Sequence, residues 1–497
     1  MTTGLGEPKR LEYNRLVLST FRSRTLLIVV GLLGGVGLGL GVAWWLARPR
    51  LLDLYPPPGA TEVSARAKLR LTFSANVDPA SVEEGLHLTP FLSGTVSWEG
   101  NTLIFTPRFP WPHSSVVTVT LSGARSRRGL PLQPASRQWT FTVSGARLAY
   151  LSGSIPNVWV ANIAETVTTR QLTTEKFGVY DFDVSPDGAA VVYAALRADG
   201  GASLYHTGWD GPAEVLLACP LAACISPEYS PDGQQIAYEH HSLSADLGGD
   251  LALGDSQVHV YNLSTGQDQL VSEAERDARF PRWAPDGRLG YYEADRQIVV
   301  MRDLSTAVTT YIPNSSGEMG DWSPDMQYLI YPEIFLPLEI EAEPEVRPGE
   351  LAAVTATVEV SPVTTVGRVT SRLQRVTLAT NAVQDISGTG KGDDHSPLYS
   401  PDGEWVIFGR QALEDGTWTP GRQIWRMRPD GSEAHPLTAD PLYSYTSVSW
   451  SPDGSRLVYM RSHALAPVEN AEIWIMAADG SEARQIVSDA YLPRWLP

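Results

Sequence analysis

Ser185-Pro186-Asp187-Gly188, followed by Ala189-Ala190-Val191-Val192-Tyr193, reads as a tight turn feeding a buried strand. Proline presets φ at the second turn position, aspartate bonds the local backbone, and glycine takes a positive φ at little steric cost. The unit recurs at Ser230-Pro231-Asp232-Gly233, Ala284-Pro285-Asp286-Gly287, Ser323-Pro324-Asp325-Met326, Ser400-Pro401-Asp402-Gly403 and Ser451-Pro452-Asp453-Gly454. Apolar runs follow the later copies too: Ile236-Ala237-Tyr238, Leu289-Gly290-Tyr291-Tyr292, Leu329-Ile330-Tyr331, Val406-Ile407-Phe408 and Leu457-Val458-Tyr459. A hairpin turn repeating at roughly 40–50 residues is the signature of a radial array of four-stranded sheets, a β-propeller. Met326 stands where a positive φ is required, so that turn is expected to be distorted.

Setting the strands in register yields seven second-to-fourth strand sets for six turns. Leu148-Ala149-Tyr150 has no turn before it, and Pro493-Arg494-Trp495-Leu496-Pro497 repeats Pro281-Arg282-Trp283-Ala284-Pro285 at the other end of the chain. The C-terminal strand is therefore expected to pair beside Leu148-Ala149-Tyr150, completing a seventh blade and removing two exposed sheet edges. Residues 146–497 are assigned to this propeller, with an insertion at about 332–371.

Upstream, residues 26–47 carry no charge, and 22 residues at about 1.5 Å rise span a bilayer. Residues 1–25 hold five bases against two acids, a net of +3, and Trp44 and Trp45 stand at the far end of the apolar run. This predicts a single-pass cell-membrane anchor with a basic cytoplasmic tail (1–25) and extracytoplasmic domains. A cleaved signal peptide is the alternative, but its apolar core would be shorter, and cutting after Ala47 would put Trp45 where a small residue is preferred. Gly31, Gly35, Gly39 and Ala43 share one helix face, a pattern that permits close packing and a homodimer; glycine is also simply common in membrane helices.

Between residues 51 and 143, about seven short alternating strands separated by Pro, Gly and Asn predict an immunoglobulin-like β-sandwich. Examples are Leu69-Arg70-Leu71-Thr72-Phe73 and Val117-Thr118-Val119-Thr120-Leu121. The fold class is thus all-β behind one transmembrane helix.

Two family resemblances follow. Pro57-Pro58-Gly59-Ala60, Leu71-Thr72-Phe73-Ser74-Ala75-Asn76-Val77-Asp78, Trp98-Glu99-Gly100-Asn101-Thr102-Leu103, Phe105-Thr106-Pro107 and Trp139-Thr140-Phe141 resemble the bacterial Ig-like domain of the SbsA type. That resemblance implies a spacer or adhesive module. The Ser-Pro-Asp-Gly series resembles the Pro-Asp (WD-like) propeller repeat of TolB and of prolyl-oligopeptidase-type enzymes, departing from it at Ala284 and Met326. Those enzymes follow their propeller with a hydrolase domain bearing Gly-x-Ser-x-Gly, a pentapeptide this sequence lacks. No catalytic residue, cofactor or metal site is therefore assigned, and an enzyme is not expected.

The whole chain carries −18, so the part after residue 25 carries −21, which repels phosphate backbones and argues against nucleic-acid binding. His240, His241, Asp246, Asp250 and Asp255 follow no zinc or calcium spacing and read as loop polarity. Gly388-Thr389-Gly390-Lys391-Gly392 lacks the full phosphate-loop spacing. Cys219 and Cys224, placed in a fourth-first loop, either bridge outside the cell or remain two thiols.

The turns and third-fourth loops share a short-loop face. The opposite face carries the long connections, Glu239–Gln257, Gly409–Arg422, Ser462–Glu472 and Pro332–Ser371, and is where recognition is expected. The last of these, with Glu339, Glu341, Glu343, Glu345 and Glu350, is either a partner-binding flap or a solvated excursion. The function expected is a membrane-tethered scaffold docking a protein, peptide or envelope ligand. The alternative is a sensor or assembly component signalling through the anchor and tail; a propeller that has lost its hydrolase domain is more remote.

Overall fold

The computed structural model describes residues 48–74, 77–163, 166–209, 211–245, 251–335, 369–388, 392–413, 419–466 and 471–496. The tail, the 26–47 segment with Gly31, Gly35, Gly39 and Ala43, and residues 336–368 of the insertion lie outside them. Among the described residues no helix is long and apolar enough to cross a membrane. The chain divides into two compact units: one of residues up to Ala60, Lys68–Thr106 and Val116–Phe141, the other of Thr61–Ala67, Pro107–Ser115 and Thr142–Pro497.

Among its described residues the first unit contains seven strands in two sheets. One sheet has the order Leu51–Tyr55, Leu69–Phe73, Thr102–Pro107, Gly94–Glu99; the other has Leu86–Thr89, Val116–Ser122, Ser136–Thr142. Alternation sets the core: Leu69, Leu71 and Phe73 are buried on one strand, and Val117, Val119 and Leu121 on another. A seven-residue helix, Pro79–Gly85, interrupts the strand pattern that the sequence predicts. Proline in its first turn suits a helix start. It ends at Gly85, where a Cβ would lie 1.9 Å from the Ser122 carbonyl oxygen.

In the second unit the described strands form seven four-stranded sets. Val179–Val184, Ala190–Leu196, Ala202–Gly208 and Glu214–Leu217 form one, and Ala222–Tyr229, Gln235–Ala245, Leu251–Asn262 and Asp268–Leu270 the next. A single parallel pairing, Ala202 with Ala223, links these two into one sheet. The following sets begin at Ala278–Trp283, Asp321–Trp322, Gly392–Tyr399 and Tyr443–Trp450. The remaining set draws on both ends of the unit: Ala490–Leu496 pairs antiparallel with Arg147–Ser152, which continues to Asn157–Asn162 and Thr168–Gln171. Each set packs on the next through apolar clusters. Leu148, Tyr150 and Trp495 meet Val458, Ile473 and Ile475, and Val160 and Leu496 meet Phe182 and Tyr193.

Five of the six turns share one hydrogen-bond scheme; at Ala284, which lacks the hydroxyl, only the Arg288 amide donating to Asp286 Oδ1 at 3.2 Å remains of its side-chain part. Ser185 Oγ donates to Asp187 Oδ1 at 2.7 Å and accepts from the Ala190 amide at 2.9 Å, while Asp187 Oδ1 accepts from the Ala189 amide at 2.9 Å. The serine thus organises the turn as much as the aspartate does. The expected distortion at Met326 is absent. Its φ is 57°, and its amide still donates to the Ser323 carbonyl at 2.9 Å, with Ser323 Oγ on Asp325 Oδ1 at 2.7 Å. The Met326 side chain packs against the cluster around Trp322 and Leu329, an apolar contact that offsets the left-handed backbone cost. Turns of consecutive blades also touch: a Cβ on Gly233 would come 3.6 Å from Pro186 Cδ, and one on Gly454 would come 3.5 Å from Pro401 Cδ.

Candidate partner-binding face

One of the long connections differs from its expected form. Glu239–Gln257 is largely strand, because Gln235–Ala245 and Leu251–Asn262 pair far past the blade as a β-ribbon. His241 is accordingly not a loop residue. It is buried, with Nε2 2.9 Å from Glu239 Oε2 and Nδ1 3.0 Å from the Gly254 carbonyl. His240 faces elsewhere, its ring 5.2 Å from that of His259. Asp246 and Asp250 lie outside the described residues, and among those described no group of three or more ligand side chains could hold a metal. Of the glycine-rich stretch, only Gly388 and Gly392 are described.

The carboxylates near the blade centres have a role the sequence reading missed. In six blades the first strand carries a β-bulge, and in five the bulge holds a left-handed residue: Ser226, Phe280, Ser396, Ser447 or Leu492. A bulge amide cannot join its own ladder, so it needs another acceptor. Ser226 donates to Asp181 Oδ2 at 2.8 Å, Phe280 to Glu239 Oε1 at 2.9 Å and Ser396 to Glu318 Oε2 at 2.8 Å. Three residues on, the amides of Tyr229, Trp283 and Tyr399 donate to Asp183, Glu228 and Asp321 at 2.9, 3.0 and 2.8 Å. Each acceptor belongs to the preceding blade, so these acids bolt neighbouring blades together.

Burial dominates their electrostatics. It raises Asp183 and Asp321, and it pushes Asp181 and Glu228 up to about 7, while Arg494 and Arg282 partly counter the effect. Arg282 lies 3.4 Å from Asp321 and Arg494 3.9 Å from Asp183.

One cluster superficially resembles a nucleophilic triad. His395 joins Glu318 through Nδ1 and Asp393 through Nε2 at 3.0 Å, with Ser371 Oγ 3.4 Å from Nε2. Triad chemistry needs a neutral imidazole that accepts the serine proton. Here both ring nitrogens face carboxylates. Despite the opposing effect of burial, the hydrogen bonds that its ring donates to Asp393 and Glu318 push His395 up to about 9, so at neutral pH it is a cation with no free lone pair. Arg422, 3.0 Å from Asp393, completes an ion cluster that ties Ser371 and Ser396 into place.

Cys219 and Cys224 form a disulfide, with Cα atoms 6.2 Å apart. Only Cys219 is in the connection; Cys224 lies in strand Ala222–Tyr229. Arg197 spans the bridged loop from below, donating through Nη1 to the Cys219 carbonyl at 2.8 Å and through Nη2 to the Ala222 carbonyl at 3.0 Å.

Exposed apolar side chains separate the two faces of the second unit. Ile155, Phe177, Leu221, Leu253, Leu442 and Leu465 are all exposed in or beside second-third or fourth-first connections. Among the described residues of the turns and third-fourth loops, Val308 alone among large apolar side chains is exposed. A groove of about 640 Å³ does lie on that short-loop face, but Asp286, Arg288, Asp303 and Ser305 line it, and they bond one another and the local backbone.

The family model described as bacterial Ig-like domain matches residues 47–143. Among curated proteins, the uncharacterized peptidase YuxL of Bacillus subtilis is 23% identical over 234 residues, covering 43% of this chain and 34% of its own length. The chain thus spans about a third of that relative. Among solved structures, TolB from Acinetobacter baumannii aligns at 12% identity over 83% of both chains, with a TM-score of 0.40. The β-propeller domain of the Trilobed protease from Pyrococcus furiosus aligns at 13% identity over 62% of this chain and 84% of that one, with a TM-score of 0.41. The family match thus covers residues 47–143, and the seven four-stranded sets of strands follow it in the chain.

Proposed function

We propose that this is a membrane-anchored extracytoplasmic scaffold whose propeller docks a protein or peptide through its long-loop face. The observation that carries the reading is that the long-loop connections expose several large apolar side chains, whereas the described turns and third-fourth loops expose only Val308. Apolar groups rimmed by polar ones mark interaction surfaces. In this reading residues 26–47 anchor the chain with residues 1–25 in the cytoplasm, and the seven blades form a ring held shut by the C-terminal strand. In this reading the His395 cluster is a structural ion network rather than a catalytic centre.

Photo-crosslinking of the full-length chain in native membranes tests the docking face. A photoreactive residue at Leu442 or Leu465 should form a discrete adduct with a second protein, and one at Thr306 should not. Adducts from Thr306 alone would reject the reading. Protease applied outside intact cells should remove the propeller; complete protection would reject the topology.

A further inference from the structure

Residues 48–143 reverse the sign of the chain. They hold ten Lys and Arg against six Asp and Glu, a net of +4 within a total of −18. Three of these bases, Arg125, Arg127 and Arg128, are exposed together on one hairpin. Among the described residues, no carboxylate lies within ion-pair distance of any of the three.

The hairpin is braced. The Ser126 amide donates to the Leu130 carbonyl and the Gly129 amide to the Ser126 carbonyl, both at 2.8 Å, with Gly129 at φ 79° beside the tip. At the base Arg125 bridges Pro131, and its carbonyl accepts from the Asp78 amide at 2.9 Å. Guanidinium groups carried on so firm a turn lose little freedom on meeting a phosphate, and each offers the planar fork of donors that matches one.

The chain enters the unit beside this hairpin. Arg48 donates through Nε to the Pro131 carbonyl at 3.0 Å and through Nη2 to the Leu132 carbonyl at 3.1 Å. The Pro49 carbonyl accepts from the Gln133 amide at 2.9 Å, and Arg50 forms a parallel bridge with Gln133. Paired segments that are parallel run the same way. Stepping back from Pro131 to Arg128 therefore leads in the direction from which the chain arrives at Arg48. The charge-free run 26–47 ends at the residue before Arg48, so no linker separates the braced unit from it. From Pro131 back to Arg128 the chain reaches up to about 10 Å, enough to bring the arginines to the headgroups of a membrane that this run crosses.

We infer that the 125–131 hairpin binds the phosphate of anionic phospholipid headgroups through Arg125, Arg127 and Arg128, holding its unit against the membrane surface. This rests on the proposed anchor at residues 26–47 and adds the lipid chemistry that the adjoining unit recognises. The full-length chain in vesicles supplies the test, with photoactivatable phosphatidylglycerol or phosphatidylcholine as the probe and adducts mapped by mass spectrometry. Adducts within residues 125–133 should be about fivefold or more abundant with phosphatidylglycerol. Arg125→Gln, Arg127→Gln and Arg128→Gln together should remove that preference, whereas the three Lys replacements should keep most of it. Lys68→Gln with Arg70→Gln is the control and should change nothing: both residues are exposed, and Arg70 pairs with Tyr55, at the end of its strand away from Arg48.

Equal labelling of the hairpin by the two lipids, or a preference that survives the triple Gln variant, overturns the inference. A preference lost equally in the control would make the effect one of net charge and also overturn it. Adducts within residues 26–47 but none at the hairpin leave the anchor standing while the inference falls; no adducts within 26–47 remove the anchor and the inference with it. Complete protection of the hairpin by millimolar inorganic phosphate, with labelling of 26–47 unchanged, would assign the arginines to a free anion and overturn the lipid reading.

Discussion

Ser451 shows why the repeated tetrapeptide begins with serine. Buried at 1% exposure, its hydroxyl donates to Asp453 Oδ1 at 2.6 Å and accepts from the Arg456 amide at 2.9 Å. Ser451→Ala leaves that amide unpaired and should cost about 1–2 kcal/mol, read as a lower urea midpoint at unchanged slope. His395 behaves differently because its charge matters. Its pKa rises from the ordinary 6.5 to about 9 in the folded chain, so the stability it contributes is complete below pH 6.5 and is lost as pH climbs through 9. With the side chain 24% exposed, the contribution is on the order of 1 kcal/mol after screening. His395→Gln should flatten the decline in denaturation midpoint between pH 6.5 and 9; a slope identical to that of the parent chain would refute the assignment.

At the scale of elements, Ala490–Leu496 contributes more than a terminal strand usually does. It supplies all the first-strand hydrogen bonds of its blade, and Ala490, Trp495 and Leu496 enter the apolar clusters on both sides. Burying three such side chains contributes several kcal/mol, on the order of 4–6. Deleting residues 489–497 should therefore lower the melting temperature by many degrees and expose dye-binding apolar surface. An unchanged melting curve would mean that the ring does not depend on this strand. The bridged loop between Glu214–Leu217 and Ala222–Tyr229 makes a smaller prediction. Closing so short a loop restricts the unfolded chain by about 2 kcal/mol in the entropic model, so Cys219→Ser with Cys224→Ser should lower stability by about that amount. Alkylation of both cysteines without reductant, read by mass spectrometry, would contradict the bridge.

Over the whole molecule the charge is one-sided, with −18 in total and an acidic excess concentrated after residue 25. An acidic body attracts cationic partners over distances comparable to the Debye length, about 8 Å at physiological salt. Association of a cationic partner or a basic model peptide with the full-length chain should therefore slow several-fold between 50 and 300 mM salt, with dissociation much less affected. A salt-independent on-rate, measured by stopped flow, would remove the electrostatic part of the docking model.

Much of this architecture was legible because it is local. Turn chemistry at Pro186-Asp187-Gly188 and its repeats, the period-two strands and the echo of Pro281-Arg282-Trp283 in Pro493-Arg494-Trp495 each depend on a few neighbouring residues. The acids two positions before the turns, Asp183, Glu228 and Asp321, were visible in the same register, yet nothing local says that their acceptor oxygens serve amides of the next blade. The ribbon at Gln235–Ala245 hid for a related reason: its polar, histidine-bearing sequence resembles a loop until its partner strand is in place. The commitment of His395 to two carboxylates and the bonding of the Ser226 amide to Asp181 are contacts between distant segments. Sequence alone determined the repeating element and its strand pattern, because turn and strand preferences act over a few residues. Only the tertiary structure decided which polar groups are satisfied and which apolar ones stay in water, because desolvation depends on what the fold brings alongside.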